Sequence, residues 1–239
     1  MAGDSESGWA KYPNTARFRT RVCDSGFMSP KGVIFDFGGV LCFHPGDERF
    51  APIATIFRLT AQELIPLFWA RRVEYDAGRL DAHDYWSGVA QAAGRKFEEA
   101  ALPELVRMEI ELWNGFDERV LGWAAHLRSR GFQTGILSNL PRALGEELRA
   151  TPGFLDPFDH VTFSYELGTV KPEPAIYQDA VAGLGLKPGE ILFLDDRKEN
   201  VEGAREAGLL AEVFSTWEEF LEQTLVRYDL PMPVPEAAA

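Results

Sequence analysis

The sequence predicts an α/β protein whose core is a doubly wound, parallel-sheet (Rossmann-like) domain with an inserted helical cap subdomain. Short apolar runs alternate with stretches of helical spacing along most of the chain. Each apolar run ends in polar residues, and one long segment, residues 45–114, has helical spacing without any strand signal. Because strands that alternate with helices form parallel sheets covered on both faces, we expect this architecture.

The core elements follow one another in a regular order. Five short apolar runs bounded by polar or turn residues predict strands, and in chain order they read GVIFDF, FQTGILSN, HVTFSYE, EILFLDD and LAEVF. The segments between and after them have helical spacing, and they read DERVLGWAAHLRSRG, PRALGEELRA, PEPAIYQDAVAGLG, ENVEGAREAG and TWEEFLEQTLVRY. Prolines that open the third helix suit a first helical turn, and a glycine closes the fourth.

The predicted cap lies between the first strand and the first core helix. Thr60 and Glu63 have the spacing of a capping box, whereas Pro66 predicts a kink or a later helix start. The aromatic runs LFWARR and DYWSG are expected to pack inside the cap, with one ring a candidate to face a substrate. We expect this segment to cover the carboxyl ends of the strands, shield the reaction from water and select the substrate.

The remaining boundaries come from composition. We assign residues 30–44 and 115–230 to the core. Residues 1–29 are expected to form a flexible extension, and residues 231–239, rich in Pro and Ala, a flexible tail.

Charge and composition exclude several classes of partner. The 239-residue chain has 37 acidic and 24 basic residues, a net charge of -13, which disfavours binding to nucleic acid or to an anionic membrane. Two cysteines are too few for a disulfide framework, and no run of eighteen apolar residues predicts a membrane helix. We therefore expect a cytoplasmic protein with a small-molecule partner, and the sequence leaves its oligomeric state open.

Polar residues at the ends of the predicted strands indicate one functional site. In doubly wound sheets, ligands bind beyond the carboxyl ends of the strands. Residues of this kind follow three of the apolar runs, and they are Asp36, Ser138, Asn139, Asp195 and Asp196. Two adjacent acids at one strand end repel each other and need a cation or hydrogen-bond donors nearby.

Four segments taken together resemble a known family. IFDFGGVL, ILSN, VKPEPAIY and FLDDRKENVEGAREAG, in this order, resemble the four motifs of the haloacid dehalogenase-like (HAD) hydrolase superfamily. The resemblance covers about residues 32–214, including a cap inserted between the first two motifs. It is nearest to the phosphatase domain at the N-terminus of epoxide hydrolases and to bacterial sugar-phosphate phosphatases.

This resemblance implies a role for each matching residue. Asp36 would be the nucleophile that attacks phosphorus and forms a transient aspartyl phosphate. The phosphoryl oxygens would be bound by the Ser138 hydroxyl and by the backbone N–H groups of Phe37, Gly38 and Asn139.

The resemblance also implies a cation site. Lys171 would offset negative charge on the phosphoryl group and on Asp36, and Mg²⁺ would be held by Asp36, the Gly38 carbonyl and Asp196. Charge supports a metal independently, since three carboxylates and a phosphate meet a single lysine.

Two further residues are assigned to supporting roles by the same resemblance. Asp195 would orient Lys171 from behind, and Asn200 would brace the loop that carries the two adjacent acids.

One position departs from the family pattern. Most phosphatases of this family carry a second aspartate two residues after the nucleophile, where this chain has Gly38. Without this second aspartate the site lacks a general acid that is typically worth about 10²- to 10⁴-fold in rate. A leaving group that departs easily would compensate, or His44 could act as a recruited proton donor; a loop position before Pro45 is the alternative for His44.

Three functions remain open from the sequence. The first is a magnesium-dependent phosphatase that acts on a small phosphorylated metabolite, with a sugar phosphate as one candidate. The second is a haloacid dehalogenase, which needs no metal and would gain nothing from the pair Asp195 and Asp196. The third is a catalytically weak or inactive member that binds phosphate without turnover.

Overall fold

The structure is a computed structural model that describes residues 29–234, so the expectations of flexibility for residues 1–28 and 235–239 lie outside the described residues. All five predicted strands form. They are β1 (Gly32–Phe35), β2 (Gln133–Ser138), β3 (His160–Phe163), β4 (Ile191–Asp195) and β5 (Leu210–Val213). Every neighbouring pair is parallel, which confirms the predicted fold class.

The strand order explains where a site can form. The order β3-β2-β1-β4-β5 places β1 at the centre, so the chain builds outward on one side and then returns to the other side of β1. The crevice at such a reversal is the usual ligand site of open α/β sheets. Phe35 is aligned with Ile136 on one side and with Leu194 on the other, so the residues that follow them emerge level with each other.

Helices cover both faces of the sheet. Those of the core are α6 (Glu118–Ser129), α7 (Arg142–Ala150), α8 (Ser164–Leu167), α9 (Pro174–Leu184), α10 (Lys198–Glu206), α11 (Trp217–Glu219) and α12 (Leu225–Arg227), with a π-helical stretch, Phe220–Thr224, between the last two. Side chains alternate along each strand, so Val33 and Phe35 enter one apolar cluster while Ile34 packs in a second with α9 and α10.

The segment between β1 and α6 is helical, as its spacing predicts. Its helices are α1 (Ala51–Ile56), α2 (Ala61–Trp69), α3 (Arg72–Asp76), α4 (Ala82–Ala92) and α5 (Leu102–Leu112), with 3₁₀ turns at Asp47–Phe50 and Glu99–Ala101. The predicted capping box forms, since Thr60 N–H donates to Glu63 Oε2 at 2.8 Å and Glu63 N–H donates back to Thr60 Oγ1 at 3.3 Å. The predicted late start at Pro66 is wrong, because α2 begins at Ala61 and continues through the proline.

This helical segment, called the cap below, packs on the same apolar cluster as one face of the sheet. Phe68, Tyr85 and Trp86 are fully buried in it, so Trp86 of the DYWSG run is a core residue. Trp69 of the LFWARR run is partly exposed and lines the cavity described next. Within the described range, no helix combines the length and the apolar character needed to cross a bilayer.

Candidate active site

A cavity of about 510 Å³ opens at the carboxyl end of the sheet, between the strand ends and the cap. From here on it is called the central cavity. The core contributes Asp36, Ser138, Asn139, Lys171 and Asp196 to its wall. The cap contributes Trp69, Arg72, Asp76 and Trp113. The cap therefore lies against the strand ends that the sequence singles out.

Asp36 stands directly after β1 and is almost fully buried. Its Oδ1 accepts a hydrogen bond from the Phe37 N–H at 2.6 Å and lies 2.8 Å from the Lys171 Nζ. Its Oδ2 accepts no hydrogen bond from residues 29–234, so one carboxylate oxygen is fixed and the other keeps its lone pairs available for reaction. The Phe37 N–H, which the family resemblance assigned to a phosphate, is engaged by the carboxylate instead.

Lys171 is held by three acceptors. Its Nζ donates to Asp195 Oδ2 at 2.6 Å and to the Leu137 carbonyl at 3.0 Å, in addition to its contact with Asp36. Asp195 is held in turn by the Arg197 N–H at 2.9 Å and by the Asn200 amide at 3.0 and 3.1 Å. The lysine thus bridges two carboxylates, and Asn200 anchors the one that faces away from the cavity.

The two carboxyl groups that contact Lys171 differ in the direction of their pKa shifts. Burial raises the pKa of Asp36 to about 7, against the opposing effect of Lys171 and with a further contribution from Asp195 and Asp196. Burial acts in the same direction on Asp195, but Lys171 and the hydrogen bonds outweigh it and lower the pKa of that carboxyl. Asp195 therefore pairs with the lysine, while ionised Asp36 favours a further cation nearby.

Ser138 and Asn139 end β2 beside Asp36. The Ser138 hydroxyl lines the central cavity and makes no hydrogen bond to any described residue, so it is free to bind a ligand. The Asn139 side chain holds the backbone of Lys171, because its Oδ1 accepts from the Lys171 N–H at 2.8 Å and its Nδ2 donates to the Lys171 carbonyl at 3.0 Å. This clamp positions the lysine, a role that a sequence pattern does not reveal.

Asp196 lies at the rim of the cavity with His44. The Asp196 Oδ2 is 2.8 Å from His44 Nε2, and this contact raises the pKa of the histidine. Gly39, at a φ of 78°, permits the approach, since a side chain there would be strained and its Cβ would lie 2.7 Å from both Asp196 Cγ and His44 Nε2. His44, considered from sequence as a recruited donor, is thus placed at the site by a specific contact.

The donor set fits a hard divalent cation. Asp36, Asp195 and Asp196 each offer a carboxylate oxygen, and these oxygens lie within 4.8 Å of one another. Lys171, Arg197 and Asn200 already engage Asp195, which leaves Asp36 and Asp196 as carboxylate ligands. The Gly38 carbonyl accepts no backbone hydrogen bond from the described part of the chain. Oxygen donors of this kind suit Mg²⁺, which typically takes one or two carboxylates.

The space beside Gly38 is filled by an indole ring. A Cβ placed on Gly38 would lie 3.1 Å from Trp113 Cζ3. Trp113 ends the cap after α5, lines the central cavity and packs against Phe37 and Trp69. An apolar ring therefore occupies the direction in which a side chain at position 38 would extend.

A second ionic group in the cap was not predicted. Arg72 Nη1 donates to Glu109 Oε1, Arg72 Nη2 lies 2.7 Å from Asp76 Oδ1, and the Tyr75 hydroxyl donates to Glu109 Oε2 at 3.1 Å. Arg72 and Asp76 line the central cavity. One signal was present, because Glu109 lies on the apolar face of α5 with Leu105 and Leu112, where an acid requires a buried cation.

Comparison with known proteins agrees with this architecture. A family model described as haloacid dehalogenase-like hydrolase matches residues 30–208. The chain is 25% identical over 186 residues to a D-ribitol-5-phosphate phosphatase of Bacteroides thetaiotaomicron, covering 74% of this chain and 88% of that protein. It is 31% identical over 236 residues to bifunctional epoxide hydrolase 2 of Mus musculus, covering 87% of this chain but 41% of that longer protein.

A solved structure shares the fold. It is a HAD-family enzyme variant from Bacteroides thetaiotaomicron in complex with magnesium and inorganic phosphate, with a TM-score of 0.65 and 20% identity. The superposition covers 80% of this chain and 98% of that one.

Proposed function

This chain belongs to the haloacid dehalogenase-like hydrolase family, and on that premise we propose that it is a magnesium-dependent phosphatase of small phosphorylated metabolites. The observation that carries the proposal is the arrangement at the strand ends. A buried carboxylate, Asp36, has one oxygen fixed by Lys171 and the other open to the cavity that also holds Asp196 and the free Ser138 hydroxyl.

The proposed reaction assigns each residue a step. Asp36 attacks phosphorus as the ester P–O bond breaks, which forms an aspartyl phosphate and releases the alkoxide, and the alkoxide takes a proton from water. A second water then attacks the aspartyl phosphate, which releases phosphate and restores the carboxylate. Lys171 and Ser138 stabilise the negative charge on the phosphoryl oxygens, together with the N–H groups of Gly38 and Asn139. Asp195 and the Asn139 side chain keep the lysine in place.

Mg²⁺ would be held by Asp36, Asp196 and the Gly38 carbonyl, where it supplies positive charge against the phosphate and the crowded carboxylates. Asp195 is proposed to act through Lys171 rather than as a ligand, because its two oxygens are occupied by Lys171, Arg197 and Asn200.

A haloacid dehalogenase remains the second candidate, and Gly38 is the observation that favours it. A departing halide needs no proton, so the missing general acid would cost such an enzyme nothing. Dehalogenation, however, needs no metal ion, so it gives the carboxylate of Asp196 no role. Release of halide from 2-chloropropionate without magnesium, and no release of phosphate from any ester, would establish this alternative.

The test measures phosphate release from p-nitrophenyl phosphate with magnesium and with a chelator. We expect hydrolysis with magnesium and none with the chelator. Asp36→Asn should lower kcat by about 10⁴-fold or more, since the substitution removes the nucleophile but keeps its shape. Asp84→Asn, an exposed acid of the cap, is the matched control and should keep native activity.

Two results would reject the proposal. One is a folded Asp36→Asn variant that retains most of the activity. The other is a native protein that binds phosphate but releases none from any ester, which would make it a non-catalytic binding member.

A further inference from the structure

The cap wall of the central cavity carries one carboxylate, Asp76, at the end of α3. Its position is set by the core. The Ser164 hydroxyl donates to the Asp76 carbonyl at 2.5 Å. Two residues later Gly78, at a φ of 68°, lies so close to the core that a Cβ there would be 2.8 Å from the Tyr165 carbonyl oxygen. The carboxylate is therefore held at the seam between cap and core.

The charge of Asp76 is not balanced within the cap. Glu109, which does not line the cavity, takes a direct hydrogen bond from Arg72 and another from Tyr75. Since one guanidinium serves two carboxylates, one negative charge is left over. Burial raises the pKa of both Asp76 and Glu109, against the opposing effect of Arg72 and, for Asp76, also of Arg197 in the core. Burial outweighs these cations, so the surroundings disfavour the extra negative charge.

Asp76 also keeps unused acceptor capacity. Its Oδ1 is buried, out of reach of a ligand, and lies 2.7 Å from Arg72 Nη2. Its Oδ2 accepts no hydrogen bond from residues 29–234, so this second oxygen is the one available to a ligand in the cavity. A carboxylate can accept about four hydrogen bonds. The neighbouring cap wall is formed by Trp69, Val73 and Trp113, whose side chains give a ligand apolar contact.

We propose that Asp76, positioned by Arg72, selects substrates whose leaving group carries a hydrogen-bond donor, a hydroxyl or an ammonium group, and disfavours those that carry a carboxylate. This inference rests on the proposed phosphatase function. A donor bound at Asp76 Oδ2 fills that vacant acceptor and, if cationic, offsets the extra negative charge. A carboxylate placed there would add a second negative charge in a buried site.

The experiment compares four phosphate monoesters of similar size with native protein and magnesium: aminoethyl, hydroxyethyl, propyl and carboxymethyl phosphate. We expect kcat/KM to be highest for aminoethyl and hydroxyethyl phosphate, which carry a donor, lower for propyl phosphate and lowest for carboxymethyl phosphate. A hydrogen bond to a charged group is worth about a tenfold to hundredfold preference for hydroxyethyl over propyl phosphate.

Asp76→Asn sharpens the result, because it keeps the shape and removes the charge. The ammonium also makes the alcohol a better leaving group, so the measure is the change in preference between native protein and variant, which cancels that effect. We expect the ratio of kcat/KM for aminoethyl over carboxymethyl phosphate to fall by about tenfold or more in Asp76→Asn, and not in Asp84→Asn.

Several outcomes would overturn the inference. Equal rates for hydroxyethyl and propyl phosphate would do so without any variant, even if Asp76→Asn failed to fold. A preference for carboxymethyl phosphate would assign selectivity to Arg197, which lines the cavity and pairs with Glu199. Failure of the proposed function is a separate result, since p-nitrophenyl phosphate would then also remain intact.

Discussion

Two buried ionic groups with the same charge count face the central cavity. The core cluster consists of Asp36, Lys171 and Asp195, and the cap cluster of Asp76, Arg72 and Glu109. In each, one acid is sealed off and binds the cation, since Asp195 is 0% exposed and Glu109 1%. In each, the other acid reaches the cavity, with Asp36 6% exposed and Asp76 7%. Both clusters therefore present one incompletely balanced carboxylate to a ligand.

The clusters differ in what surrounds the cation. Lys171 is held by a backbone carbonyl as well as by its acids, in a region where backbone N–H groups also point at the carboxylates. Arg72 lies among four aromatic rings, with its guanidinium carbon 4.9 Å from the ring centre of Phe68 and 5.2 Å from that of Tyr75, whereas one ring, Phe193, lies over Lys171 Nζ at 5.3 Å. The polar surroundings suit a site that exchanges charge with ligands, whereas the aromatic ones suit a fixed element of the cap.

The largest expected effect separates the clusters by stability. Arg72→Met should lower the free energy of unfolding by about 3–5 kcal/mol, because two buried carboxylates lose their cation. Lys171→Met should cost a similar amount in chelator but recover part of it in saturating magnesium, since the metal would supply positive charge there. Urea unfolding of both variants, with and without magnesium, provides the measurement.

Arg79→Met is the matched control for this comparison. Arg79 forms an exposed pair with Glu74 in the same part of the cap and donates to the Gly168 carbonyl at 2.9 Å, so its loss should cost about 1–2 kcal/mol, less than that of Arg72. If magnesium restored the free energy of unfolding of Arg72→Met as much as that of Lys171→Met, the two clusters would not be independent.

The two clusters were also unequally predictable. Asp36 and Asp195 follow apolar runs, and parallel strands bring such ends together whatever the details of packing, so the sequence alone could identify the two acids of the core cluster. Lys171 follows no apolar run, and its place was predicted only from the family resemblance. Arg72 and Glu109 lie on separate helices, α3 and α5, and the approach of two helices depends on packing that periodicity alone does not specify. The acid on the apolar face of α5 indicated a buried partner but not which one.

A smaller effect is the stabilisation by magnesium, which should depend on the core cluster and not on the cap cluster. Magnesium at about 100 times its dissociation constant should stabilise the protein by about 2.7 kcal/mol, a rise in melting temperature of about 5–10 °C. Asp196→Asn should abolish this rise because it removes a ligand, while Asp76→Asn should keep it because the cap cluster does not contact the metal. Identical melting curves of the native protein in magnesium and in chelator would contradict the site.

The smallest expected effect concerns Gly38, where Trp113 of the cap packs against the core. The family resemblance predicts that Gly38→Asp restores a general acid and helps alkyl phosphates more than aryl ones. The structure limits that gain, because the new Cβ would lie 3.1 Å from Trp113 Cζ3 and the ring must shift before a carboxyl group fits. We expect a change of less than about tenfold in kcat for propyl phosphate, far below the roughly 10²- to 10⁴-fold that a placed general acid contributes.

Trp113→Phe replaces the indole with a smaller ring, and by itself it should leave hydrolysis of propyl phosphate slow. In the double variant with Gly38→Asp, the propyl phosphate rate should rise above that of Gly38→Asp alone. The rate for p-nitrophenyl phosphate should change little. Because an aryl leaving group departs without protonation, the difference between the two esters reports the acid itself. Native rates should accordingly climb as leaving-group pKa falls. If native rates are instead insensitive to the leaving group and His44→Gln abolishes them, then a donor recruited at the rim does the work of the missing aspartate, and the ring beside Gly38 is not what limits the reaction.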